Sequence, residues 1–109
     1  MFNVQPKHPP TPTNLVFNNI FGVGSVIQGD QVIKGHLLIS GECIGNLKFD
    51  LQTEDTAVID VNGFMRGDIS CKNAIVLGRI EGNLHVTHRI EIYPSAIVTG
   101  DIDYGQIFI

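Results

Sequence analysis

The chain has 109 residues, enough for one domain, and 43% of them are apolar against 17% charged, so a real core is affordable. Net charge is −4 and the seven Lys and Arg are scattered, with no basic run and no aromatic-basic interleaving, which argues against nucleic acid as a partner. No apolar run approaches the roughly 18 residues of a membrane-spanning helix, and no signal peptide opens the chain, so a cytoplasmic protein is expected.

Residues 1–14, MFNVQPKHPPTPTN, hold four of the five prolines. Proline has no amide donor and a fixed φ, so this stretch predicts a disordered or polyproline-like tail. Its apolar start and Lys7 suggest a weak membrane contact through Met1, Phe2 and Lys7. Residues 15–24, LVFNNIFGVG, read either as a strand that caps the domain or as an adhesive linker. The expected division is thus a tail and linker over 1–24 and a folded domain over 25–109.

From Ile33 to Leu51 every second residue is apolar or glycine, while the opposite phase is mostly polar. That is the period of strands with one buried face. It holds again from Ile59 to Cys71, slips by one at Arg79, runs on through Ile80, Leu84 and Val86, and slips once more at Gln106. No segment carries a helical period, so the fold is expected to be all-β.

One unit recurs within the alternation: an apolar residue, any residue, glycine, any residue, an apolar residue. Its glycines are Gly35, Gly45, Gly67, Gly82 and Gly100, separated by 10, 22, 15 and 18 residues. Repeats that cannot bury a face alone must stack. Glycine inside a strand marks a bend or a close backbone approach, so a column of stacked bends is predicted. His36, Asn46, Asp68, Asn83 and Asp101 follow these glycines and point outward, forming a solvated ladder. The competing antiparallel barrel or sandwich rests on Asn62-Gly63, one hairpin signal without counterparts.

His85 and His88 have the spacing of a possible metal pair. However, residues three apart on a strand face opposite ways, so His85 is read as outward and His88 as a corner residue. Cys43 and Cys71 fall on the inward phase, where free cysteine behaves as a small hydrophobe. No Ser-His-Asp or Cys-His set, no phosphate-binding glycine loop with Lys-Ser/Thr and no regular six-residue acyltransferase repeat is present, so neither an enzyme nor a cofactor or metal site is expected.

The pieces IKGHLLISGECIGNL and GFMRGDISCKNAIVLGRIEGNLHVTHRIEIYPSAIVTGDI, in this order, resemble the bactofilins over roughly residues 25–109. The serial combination carries the likeness: xGDI, xxAIVLGxIEGNL, xxRIEI, AxVTGDI. The resemblance implies a right-handed, three-sided parallel β-helix that self-assembles end to end into filaments without bound nucleotide. It further implies a scaffold for cell-wall or cell-shape enzymes, peripheral to the inner face of the cytoplasmic membrane. DLQTED at 50–55 lengthens one connection relative to the family. The chain also ends at Gln106–Ile109, where family members continue with a further glycine rung, so an incomplete last coil is expected.

Residues 25–109 at this repeat make about five coils, stacked roughly 4.8 Å apart. Both ends of such a rod expose unpaired backbone and apolar core, so assembly through the terminal coils is expected. The first coil would contribute Ile27, Ile33 and Leu37, the last Ile102, Ile107, Phe108 and Ile109. The alternative is a monomeric β-helix binding module that presents one face to a wall polymer or a protein. Tyr93 and Tyr104 are its only tyrosines for that role.

Overall fold

The computed structural model describes residues 15–109. Thirteen strands wind into a parallel solenoid, and among the described residues there is no helix. The first coil holds β1 (Asn19–Phe21), β2 (Val26–Gln28) and β3 (Gln31–Ile33). The second holds β4 (Leu37–Ile39), β5 (Glu42–Ile44) and β6 (Leu47–Phe49). In the third come β7 (Thr56–Ile59), β8 (Phe64–Arg66) and the start of β9 (Ile69–Val76). The end of β9, β10 (Arg79–Glu81) and the start of β11 (Leu84–Ile92) form the fourth. The end of β11, β12 (Ile97–Thr99) and the start of β13 (Ile102–Phe108) form the fifth.

Three faces result. Face A stacks β1, β4, β7 and the later halves of β9, β11 and β13; face B stacks β2, β5, β8, β10 and β12; face C stacks β3, β6 and the earlier halves of the long strands. Every pairing is parallel, so the hairpin reading of Asn62-Gly63 is replaced by a corner between faces A and B. The solenoid also starts before residue 25, because β1 pairs Asn19–Phe21 with Leu37–Ile39.

The core forms because successive strands place apolar residues at equal heights. On face B, Ile27, Cys43, Met65, Ile80 and Val98 lie in register. On face C, Leu47, Ile69, Leu84 and Ile102 do the same. Leu37, Ala57, Ala74, Ile90 and Ile107 form such a row on face A. Each fully buried Leu or Ile contributes about 1.5–3 kcal/mol against chain entropy. No buried side-chain nitrogen or oxygen among the described residues lacks a partner.

The phase slip lies earlier than the alternation suggests. Cys71 is inward, and the next inward residues are Ala74 and Val76, so the phase changes across Lys72. Ile75 and Leu77 belong to a separate cluster outside the core. The cause is the corner from face C to face A, which β9 turns without leaving the ladder. In β11 the same corner takes one residue more, seen as a register shift between Val86 and Arg89.

The glycine column stands at the corner from face B to face C. A Cβ on Gly67 would overlap the carbonyl oxygen of Gly45, and one on Gly82 or Gly100 would overlap that of the glycine below. These three glycines also have φ of 142°, 151° and 139°. Both constraints select glycine. The column begins at Gly29, whose carbonyl faces Gly45, and not at Gly35. Gly35 sits at the next corner, against Asn18. With Gly29 in place the spacings become 16, 22, 15 and 18 residues, one per coil.

Candidate functional site

The residue after each column glycine builds a hydrogen-bond ladder up the outside. The Asn46 N–H donates to Asp30 Oδ1 at 3.0 Å, Asp68 N–H to Asn46 Oδ1 at 3.0 Å, Asn83 N–H to Asp68 Oδ1 at 2.9 Å and Asp101 N–H to Asn83 Oδ1 at 3.0 Å. Each side chain thus satisfies the backbone donor one coil above it, at a corner where strand pairing cannot. Alternation of Asp with Asn keeps like charges two coils apart along the column. His36 stands outside this ladder, accepting from Thr56 N–H at 3.0 Å through Nδ1.

At the two ends of the solenoid the stacked rows lose their partners. Among the described residues, β1, β2 and β3 of the N-terminal coil are each paired on one side only. Phe21 and Ile27 are partly buried there against the core, and Ile33 is buried. Ile20, Val23, Val26 and Val32 are exposed around them. Leu37 is fully buried in the second coil beneath β1, so it is not available at this end.

The C-terminal coil offers β12 and the seven-residue β13, the longest edge strand among the described residues. Val98, Ile102 and Ile107 are partly buried against the core. Tyr104 lies in register over the buried Val86 yet is half-exposed. Phe108 points outward on face A, where the Arg89 guanidinium stacks on its ring at 3.9 Å. Ile109 is almost fully exposed at 95%.

The remaining singled-out residues are dispersed. His85 Nδ1 lies 3.0 Å from Asp103 Oδ2 on face C, while His88 Nδ1 lies 3.0 Å from Asn73 Oδ1 at the next corner. The two rings therefore serve different partners. Among the described residues no group of three His, Cys, Asp or Glu is placed to hold a metal ion. Cys43 and Cys71 are free and buried. Burial disfavours their thiolates, raising the pKa of Cys43 and pushing that of Cys71 up to about 12. Such thiols are inert core groups.

Some surface charges pair along the outer rows. Glu81 bridges Arg79 at 2.8 Å and Arg66 at 3.6 Å, and both guanidiniums lie over the Phe64 ring. Hydrogen bonds from Asn73 and Lys72 hold the Glu54 carboxyl below its ordinary range. The Tyr93 hydroxyl donates to Glu91 at 2.6 Å, which raises its pKa. Met1, Phe2 and Lys7 lie outside the described residues.

Sequence reasoning missed Gly29 and Asp30 as the first corner of the column. Gln31 stands where the other copies have an apolar residue, which hides the unit; the Gly-Asx pair was the available signal. It also left out Phe21 and Val98 as end-coil residues.

Among known proteins, the family model described as "Bactofilin: Polymer-forming cytoskeletal" matches residues 19–109. Bactofilin BacO of Myxococcus xanthus (strain DK1622) is 27% identical over 105 residues, covering 94% of this chain and 80% of that protein. Bactofilin BacP of the same organism is 27% identical over 94 residues, which span 86% of this chain and 38% of that protein. No solved structure matches the chain.

Proposed function

The chain belongs to the bactofilin family of polymer-forming cytoskeletal proteins, and we propose that it assembles end to end through its two terminal coils, without nucleotide, into filaments that act as scaffolds. The observation that carries this reading is the state of the end coils. Rows that are fully buried in the middle of the rod run on to only partly buried residues at both ends: Phe21 and Ile27 at one, Val98, Ile102 and Ile107 at the other. Among the described residues the strand edges beside them have no partner, and an exposed edge is a template for another chain.

Docking a second copy adds one more rung at about 4.8 Å, completes the backbone pairing and removes apolar surface from water. Burial supplies the driving force, so no hydrolysis step is required. The role is structural rather than catalytic. A cytoplasmic location, and a contact of Met1, Phe2 and Lys7 with the inner membrane face, extend the proposal. One such weak anchor per chain gains strength by avidity when many chains line one filament. Enzymes of cell-wall or cell-shape machinery are the proposed clients of the scaffold.

Electron microscopy of the purified chain at about 10–50 µM, a range at which apolar end contacts of micromolar affinity are populated, is the primary test. Filaments are expected, and a strictly monomeric rod in several buffers would sink the proposal. Ile107→Arg places a charge in the C-terminal end coil. It is expected to disperse filaments while circular dichroism keeps its strand signal. Undiminished filaments in that variant would exclude the C-terminal coil as an assembly surface.

A further inference from the structure

Face A differs from face C in its outward row. On face C the outward row reads Val32, Lys48, Ser70, His85 and Asp103, largely polar and open to water. On face A the corresponding row carries Leu38, Val58 and Ile75 on successive rungs. Val58, on the outer side, is nevertheless 0% exposed, and Leu77 at the adjoining corner 1%. Val58, Ile75 and Leu77 make an apolar cluster separate from the core, and Leu15, Phe17, Leu38 and Tyr93 pack against it. An apolar patch on the outside of the solenoid is covered by Leu15 and Phe17 of the same chain.

The covering segment is attached lightly. Residues 15–18 form no strand, and Val16 between the two packed side chains is 77% exposed. The segment joins the solenoid at Asn18, which donates its N–H to His36 O and accepts the His36 N–H at Oδ1, both at 3.1 Å. Ladder pairing starts only at β1, so lifting residues 15–17 breaks no strand pair.

We propose that the outer row of face A is a docking groove for an extended apolar-x-apolar segment, and that Leu15-Val16-Phe17 occupies it in cis as a strap that can be lifted. The groove lies on the flank of the rod. Opening it leaves the end coils as they are and adds a lateral contact surface. A partner that reads it would supply two apolar side chains two residues apart, as the strap does. The proposal stands apart from end-to-end assembly, because strap and end coils can be altered separately.

The test uses the full chain carrying Val58→Cys, which sets a thiol in the groove, with maleimide labelling as the readout. Cys43 and Cys71, both 0% exposed, are internal controls for an intact core. With the strap in place the introduced thiol should label slowly. Adding Leu15→Ser and Phe17→Ser should speed labelling about tenfold or more, the factor that corresponds to about 1.4 kcal/mol of lost closure. Leu15→Ser alone should give a smaller acceleration in the same direction. Excess synthetic hexapeptide of residues 14–19 should restore protection, and its two-serine counterpart should not. Equal labelling rates with and without the strap substitutions overturn the proposal. So does labelling of Cys43 or Cys71 in both strap variants, which would make the segment part of the core. Failure of the peptide to protect rejects the groove, and protection regained only at higher protein concentration assigns the occupant to another copy.

Discussion

Two corners of the same solenoid follow opposite rules. At the corner from face B to face C, two residues separate the strands in every coil: Gly29-Asp30, Gly45-Asn46, Gly67-Asp68, Gly82-Asn83 and Gly100-Asp101. At the corner from face C to face A, the connection is three residues long at 34–36 and six at 50–55, and later it is absorbed into β9, β11 and β13. The first corner is held by backbone packed on backbone, with a side-chain oxygen for each amide of the rung above. The second is held by individual polar contacts, such as Gly35 N–H to Asp55 at 3.2 Å and Asn73 to Glu54 at 3.2 Å. At the first corner, where each column glycine packs on the glycine one coil below, composition and length are locked together. Where side chains bridge the gap, both are free to vary.

The sharpest way to break this contrast is Gly67→Ala. Its methyl would overlap the Gly45 carbonyl, and φ of 142° strains any residue with a Cβ. Positive-φ strain alone costs about 1–3 kcal/mol, and displacing a neighbouring coil brings the expected loss to about 4 kcal/mol. Urea unfolding followed by circular dichroism measures it. A shift under about 1 kcal/mol would mean that the column tolerates a Cβ and that its glycines are incidental.

The contrast also separates what could be read in the residues from what could not. Strict alternation is a local consequence of the pleat, so the inward rows of faces B and C, and the cysteines within them, were legible one residue at a time. The glycine units at 45, 67, 82 and 100 were legible because steric contact at their corner forbids substitution. Gly35 passed for a fifth member because it too is flanked by Ile33 and Leu37, although its corner belongs to the other kind. Gly29 was passed over because Gln31 sits at an edge where burial no longer demands an apolar residue. The slip at Lys72 was hidden by Ile75 and Leu77, which keep the old phase yet point to the second cluster. That cluster depends on Leu15 and Phe17, some 40–60 residues distant in sequence, and no local pattern announces such a contact. Leu37 was assigned to the end coil for the same reason, since the cover supplied by β1 is non-local.

A middle-sized effect tests the ladder rather than the glycine. Asn83→Ala removes the acceptor for the Asp101 N–H while leaving the column's backbone contacts in place. This amide lies at an exposed corner, where water can partly replace the lost partner, so the expected cost is about 0.5–1.5 kcal/mol. Asn83→Asp keeps an acceptor oxygen but sets a third charge directly between Asp68 and Asp101. It should cost less than alanine at high salt and more than it does there at low salt, where like charges are less screened. If alanine and aspartate variants unfold at the same urea concentration at every ionic strength, the ladder is decoration rather than support.

The smallest effect is the most discriminating for the two corners. Two glycines inserted after Gln52 lengthen a connection whose residues 51–54 are exposed and whose one backbone hydrogen bond, Thr53 N–H to Asp50 O, is long at 3.4 Å. Loop-closure entropy grows only slowly with length, so the expected cost is a few tenths of a kcal/mol, about 0.3. The same two glycines inserted after Gly67 would push Asp68 off the Asn46 acceptor and carry β9 out of register with β6, with a loss comparable to Gly67→Ala. Composition and insert length are identical in the two variants, so chain entropy largely cancels between them. A large difference in urea midpoint then reports the corner alone, and equal midpoints would mean that the column constrains its connection no more than the loop does.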